Sequence, residues 1–385
     1  VSAVRTPASP LRVALRVLLP ASLAATMLAG VAGGLLRAGV ALPGAAGADW
    51  LGRAALEHAA LIVCAFLGTV IGIERAVAAR HRAAFLAPVA SIAAGACLLL
   101  GARAQAAALL VVAALAFTAA TAVILRRQPA AHTRLLVVAA LAWLAGNLLY
   151  AGDAAPEGTL AWWFAFLVLT IAAERLDMTR LMRRRPAAQP AFAVVVALMI
   201  AGAAASVPWP RAGGVAFGAA LVLLAAWLGC FDVARRTVRA HGLARYMAVC
   251  LLAAYGWLAV AGVAWAGTAL GWPARDAALH ALGLGFVVSM AMGHAPVVLP
   301  AVARVKLAFG PAFYLPVALL HASLVLRLGP GASDSGLRAW GAALDAAAIV
   351  LFAITLAGAA LAWRMGTRRA QAPAPVAPRV SKASP

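Results

Sequence analysis

Long apolar runs alternate with short basic clusters along the whole chain. A helix needs about 17–25 predominantly apolar residues to cross a bilayer. Runs of that length fall at 13–36, 54–73, 84–102, 105–125, 135–151, 160–178, 190–207, 213–232, 244–267, 276–302, 311–328 and 339–363. None shows the alternation of polar and apolar residues that marks a membrane β-strand. The pattern predicts an all-α fold, a polytopic transmembrane helical bundle of about 12 spans. The first run continues past Ala29 to about Leu36, too long for a signal-peptide core, and reads as an uncleaved helix.

Charge then orients the bundle. With the N-terminus inside, alternate connections carry 25 Lys and Arg residues on the inner side and 7 on the outer side. The positive-inside bias therefore predicts N-in/C-in. Residues 1–12 read as a cytoplasmic N-terminal segment, 13–363 as the transmembrane domain and 364–385 as a disordered basic cytoplasmic tail. The chain is 65% hydrophobic and 11% charged, against about 25% charged in soluble domains, which excludes an ordinary soluble fold. Its net charge of +21 does not point to nucleic acid, because the cations sit between apolar runs and form no basic face or known motif. The partner they imply is the lipid bilayer. Eleven tryptophans, many near span ends (Trp50, Trp162, Trp163, Trp272, Trp340), suit an interfacial aromatic belt.

Candidate chemistry rests on histidine. His81, His132 and His241 lie in basic connections and read as solvated. His58, His280, His294 and His321 lie within predicted spans, where an ionisable side chain needs a partner. His58 and His280 each stand about one turn into a helix that begins outside, and His321 lies roughly 9–11 Å below the same surface. These three are the candidate metal ligands. His294 follows His280 by fourteen residues, on nearly the same helix face but about 21 Å away, so the two belong to different levels. A His bonded to a neighbouring carbonyl is the plain alternative for each. Imidazole ligates haem iron, copper and zinc, and bundle cores build such sites from facing helices, so residue type alone leaves the metal open.

Other polar residues within the spans are few. Glu57 is either a partner of His58 or a solvated cap, and Asp345 a candidate proton-relay or substrate group. Asn147 and Tyr150 suit ordinary interhelical bonding. The four cysteines, Cys64, Cys97, Cys230 and Cys250, form no CxxC and read as small packing residues. Glu74-Arg75 and Glu174-Arg175 end two helices alike; the simpler reading takes them as interfacial anchors, the other as pairs that fold toward one another.

Two stretches carry a resemblance. Glu57-His58-Ala59-Ala60 through Gly68-Thr69 to Glu74-Arg75-Ala76, and Leu279-His280-Ala281-Leu282-Gly283-Leu284-Gly285 with Gly293-His294 beyond, resemble the NnrS family. Those are twelve-span bacterial membrane proteins that contain haem and copper and are linked to nitric oxide metabolism. The resemblance implies a bacterial cytoplasmic (inner) membrane location, haem b and copper as cofactors, and a small gaseous ligand such as nitric oxide. His58, His280 and His294 are the residues it matches, and with His321, added on depth, they make up the candidate cofactor-binding set. The chain departs from the family in having Glu57-His58 where a His-Ala-His-Glu cluster is usual, and Gly293-His294-Ala295-Pro296 where Gly-His-Thr-Gly-Arg is usual. Twelve spans with cytoplasmic termini also fit a secondary transporter of a small solute, and histidines that merely bond helices together fit a structural protein.

Overall fold

The structure is a computed structural model that describes residues 10–44, 47–178, 187–303 and 305–371. Among the described residues twelve helices are long and apolar enough to cross a membrane. They are α1 (Leu18–Arg37), α2 (Ala60–Ala79), α3 (Arg82–Leu100), α4 (Arg103–Arg127), α5 (Ala131–Ala151) and α6 (Pro156–Met178), then α7 (Ala188–Ala205), α8 (Pro210–Phe231), α9 (Gly242–Ala269), α10 (Arg275–Ala301), α11 (Pro311–Leu328) and α12 (Ser335–Met365). No strand occurs among the described residues. The protein is a polytopic helical membrane bundle.

Consecutive spans pack side by side, and α12 returns to α1. The α6 span is the most enclosed, with 78% of its apolar window buried, and it touches both α2 and α10. Its ring-bearing residues build the middle of the core: Phe166 stacks on Trp143 of α5 at 5.0 Å and meets Phe117 of α4 edge-on. Small residues set how closely other backbones approach. A Cβ on Gly218 of α8 would lie 2.5 Å from the carbonyl oxygen of Gly262 on α9, so only glycine allows that crossing.

Punctuation follows the sequence. Gly101, at φ +83°, makes the left-handed turn between α3 and α4. Prolines open α6 (Pro156) and α8 (Pro210), where the missing N–H costs no helical bond. The largest shift from expectation is α2. A short helix, Asp49–Leu56, comes first, the backbone is irregular at Glu57, and the span proper begins at Ala60. The closing helix continues through Gln371, so the boundary expected at Arg364 falls inside a helix; residues 372–385 and 1–9 lie outside the described residues.

Two spans begin in an unusual way. Ala60–Leu67 of α2 and Ala281–Val288 of α10 are wound as π-helix, a rare wider winding that is frequent at functional sites. His58 stands two residues before the first segment and His280 immediately before the second.

The ends of the bundle differ in charge. At the end where α2 and α10 begin, Asp49, Glu57, Asp153, Glu157, Asp276, Asp334 and Asp345 balance seven arginines, so this end carries no net formal charge, while the described residues of the opposite end carry an excess of arginine. We call these the charge-poor and the basic end.

Candidate functional site

His58 and His280, distant in sequence, meet at the charge-poor end. Their ring centres are 6.4 Å apart and their planes 27° from parallel. That is too far for rings in direct contact at about 3.5–4 Å. Two imidazoles that share one metal through nitrogen bonds of about 2.0–2.1 Å have ring centres roughly 6 Å apart.

The helices fix each ring from behind. The Nδ1 of His58 is 2.7 Å from the carbonyl oxygen of Gly30 on α1. A carbonyl only accepts, so Nδ1 carries the proton and donates, which leaves Nε2 with its lone pair. Glycine is required alongside: a Cβ on Gly34, one turn along α1, would come within 2.6 Å of the His58 ring. His280 is held in the same sense, its Nδ1 lying 3.0 Å from the Asp276 carbonyl oxygen and 2.9 Å from the Asp276 carboxylate. Such an anchored Nδ1–H is the usual outer support of a metal-ligating histidine.

Arg327 of α11 ties this corner together. Its Nε and Nη2 donate to the two Asp276 oxygens at 3.0 and 2.8 Å, and its Nη1 donates to Asp345 of α12 at 3.2 Å. Ser323 donates to the other Asp345 oxygen at 2.5 Å. The guanidinium also lies 3.2 Å from Nδ1 and 3.1 Å from Nε2 of His280. A donor on the lone-pair axis of Nε2 would be much farther from Nδ1, so these near-equal distances put Arg327 off that axis. Arg327 and Asp345 are buried and offset one another's burial cost, while the Asp276 side chain stays partly exposed.

The other two histidines stand apart from the pair. The Nδ1 of His321 accepts the indole N–H of Trp257 at 3.0 Å, which places its proton on Nε2, an enclosed atom with no hydrogen-bond partner. In this tautomer His321 offers no lone pair. Among the described residues no three His, Cys, Asp or Glu side chains are grouped as metal ligands. His294 lies toward the basic end. Its Nδ1 donates to the Met290 carbonyl at 2.7 Å, and its Nε2 takes an N–H of Arg175 at 3.3 Å. Arg175 also grips both oxygens of Asp232, at 2.7 and 3.0 Å, and Asp232 accepts the backbone N–H of Ala234 at 2.7 Å.

Several smaller expectations resolve. Arg75 reaches Glu174 at 2.5 Å and Glu74 at 3.2 Å, so the two echoing dipeptides join α2 to α6 rather than acting only as interfacial anchors. The anchor reading failed because Arg75 and Arg175 are buried in the bundle, where each needs an acid. Glu57 partners neither His58 nor solvent alone: it accepts from Tyr150 at 2.7 Å and pairs with Arg103 at 3.3 Å. Asn147 is fully buried, donates to the Leu110 carbonyl at 2.8 Å and accepts from Trp163 at 2.9 Å, which is interhelical bonding as expected. His132, expected to be solvated, lies 3.2 Å from Asp177. The cysteines are all free, Cys64 and Cys250 buried and Cys230 exposed.

Sequence reasoning missed Arg327, Asp276 and the glycines of α1. The signal for Asp276 was its i,i+4 spacing to His280; for Arg327 it was an arginine among apolar residues at a span end. Gly30, Gly33 and Gly34 form a small-residue run that marks close packing without saying against what.

Two imidazoles with anchored Nδ1 atoms, brought together from two helices, are residues of the type that hold a metal or haem iron, with the Arg327 guanidinium beside one of them. No curated protein and no solved structure matches the chain. Residues 15–361 match the family described as Domain of unknown function (DUF8744), and the chain belongs to that family.

Proposed function

We propose that the protein is an integral membrane haem or copper protein of the NnrS type, acting in nitrogen-oxide or redox-stress chemistry at a bacterial inner membrane, with His58 and His280 holding the group. One observation carries this reading: the two rings face each other at 6.4 Å, each with Nδ1 tied to α1 or α10. A bound haem or copper would supply a redox-active metal able to take a diatomic gas or pass an electron.

The chain's own residues supply the rest. Gly30 and Asp276 fix the tautomers of the two histidines. Gly34 leaves room for the His58 ring, and Arg327 with Asp276 and Asp345 sets the local charge. A small apolar gas reaches such a site through the lipid, so the reading needs no polar channel.

The test is expression in a haem-competent bacterium, purification in mild detergent, and oxidised and reduced visible spectra with metal analysis. A Soret band with stoichiometric iron, or stoichiometric copper, is expected in the wild-type protein. Colourless protein free of both metals after haem and copper supplementation would sink the proposal.

A second reading, a secondary transporter of a small solute, draws on the two buried Arg–Asp clusters at different depths, Arg327 with Asp345 and Arg175 with Asp232. Alternating access breaks and remakes contacts of this kind. Solute uptake by proteoliposomes of metal-free protein, abolished by Asp345→Asn, would favour it.

A further inference from the structure

A cleft of about 230 Å³ opens at the charge-poor end, between α6, α8, α9 and α10. It is separate from the paired histidines and carries its own polar equipment. Arg275 pairs across it with Glu157 at 2.9 Å. Arg211 also lines it and makes no ion pair or hydrogen bond among the described residues, so the cleft keeps one uncompensated positive charge.

A second observation points inward. Trp265 lines the cleft and is only 8% exposed, its ring packed on Phe164 and Phe217. Its indole N–H makes no hydrogen bond among the described residues, although four other tryptophans each donate to a protein acceptor. It is not among the sealed unpaired atoms either, so this donor opens on the cleft. Buried indole N–H groups normally find an acceptor.

The remaining lining defines the ligand. Three long helices begin here, α6 at Pro156, α8 at Pro210 and α10 at Arg275, and their first turns add partial positive charge. The hydroxyls of Ser206 and Thr268 donate back to their own helices, at Gly202 and Ala264, which leaves their oxygens to accept from a ligand hydroxyl. Leu160 and Leu279 make part of the wall apolar. The helix ends set the cleft at the boundary between bilayer and water.

We propose that this cleft binds a hydroxyl-bearing phosphate, with the phosphate on Arg211 and the Trp265 N–H and the hydroxyls toward Ser206 and Thr268. The glycerol phosphate headgroup of an anionic lipid and a soluble glycerol phosphate share this chemistry.

The experiment follows thermal unfolding of the full chain in detergent with added phosphatidylglycerol, phosphatidylcholine or glycerol 3-phosphate. Phosphatidylglycerol raises the midpoint by about 3–5 °C in the wild-type protein, and phosphatidylcholine does not. Arg211→Ala abolishes the rise, Thr268→Phe abolishes it by filling the cleft, and Arg211→Lys retains most of it. An equal rise with glycerol 3-phosphate sustains the site and assigns it to the soluble ligand. Equal rises with the two lipids, or wild-type rises in both Arg211→Ala and Thr268→Phe, would overturn the proposal.

Discussion

At the charge-poor end Arg327 stands between Asp276 and Asp345 and approaches His280 off the axis of its Nε2, whereas at the basic end Arg175 donates directly to the Nε2 of His294. Both histidines sit on α10, and both anchor Nδ1 to a carbonyl one turn back, at Asp276 and Met290. What separates them is the second nitrogen. At His294 it takes a guanidinium N–H at 3.3 Å, while at His280 the guanidinium lies nearly equidistant from both ring nitrogens, at 3.1 and 3.2 Å, and on neither lone-pair axis. His58 completes the contrast, since α2 brings a second imidazole to His280 and none to His294. A membrane histidine thus becomes a candidate ligand through what its neighbours leave unsatisfied, rather than through its depth.

Breaking the basic-end cluster has the largest expected effect. Asp232→Ala leaves Arg175 buried without its carboxylate, and loss of one partner of a buried pair costs about 3–5 kcal/mol. The unfolding midpoint of the purified variant should drop sharply, with metal content per folded chain unchanged. A variant as stable as wild type would show that water or lipid headgroups reach Arg175.

Next comes the α1 cradle. Gly34→Val drives a side chain into the His58 ring, and overpacking of this kind costs about 1–3 kcal/mol. Here the bound metal should fall more than the stability does, the opposite of Asp232→Ala, and metal analysis beside thermal unfolding separates the two. Trp257→Phe sharpens the comparison from the other side. It removes the donor to His321 and trims the ring that packs on Gly285, costs about 1–2 kcal/mol, and should leave the visible spectrum unaltered. A spectral shift in Trp257→Phe would bring His321 into the site.

Most of the architecture was legible because a bilayer constrains length so tightly. The twelve apolar runs became twelve spans, and α11 was placed at residues 311–328 as it stands in the structure. The α2 start was misplaced because the short helix Asp49–Leu56 is apolar enough to merge with the span that follows. The shared depth of His58 and His280 was legible from counting residues inward from one surface. Their pairing was not, because it depends on which helices are neighbours, and α6, which touches both spans, carries no sign of that in its sequence. The charged corner was hidden for a related reason. Asp276, Arg327 and Asp345 come from three helices, and although Asp345 was picked out as a proton-relay or substrate candidate, nothing in the sequence joined it to the other two. His321 was grouped with the pair on depth alone, since a tautomer fixed by Trp257 leaves no trace in spacing.

The most direct test of the account is bound iron and copper per folded chain, with the visible spectrum, in His58→Ala, His280→Ala and His294→Ala variants purified alongside the wild type. The account predicts that the first two lose the cofactor while His294→Ala keeps it. Retention in His58→Ala and His280→Ala, or loss confined to His294→Ala, would contradict it.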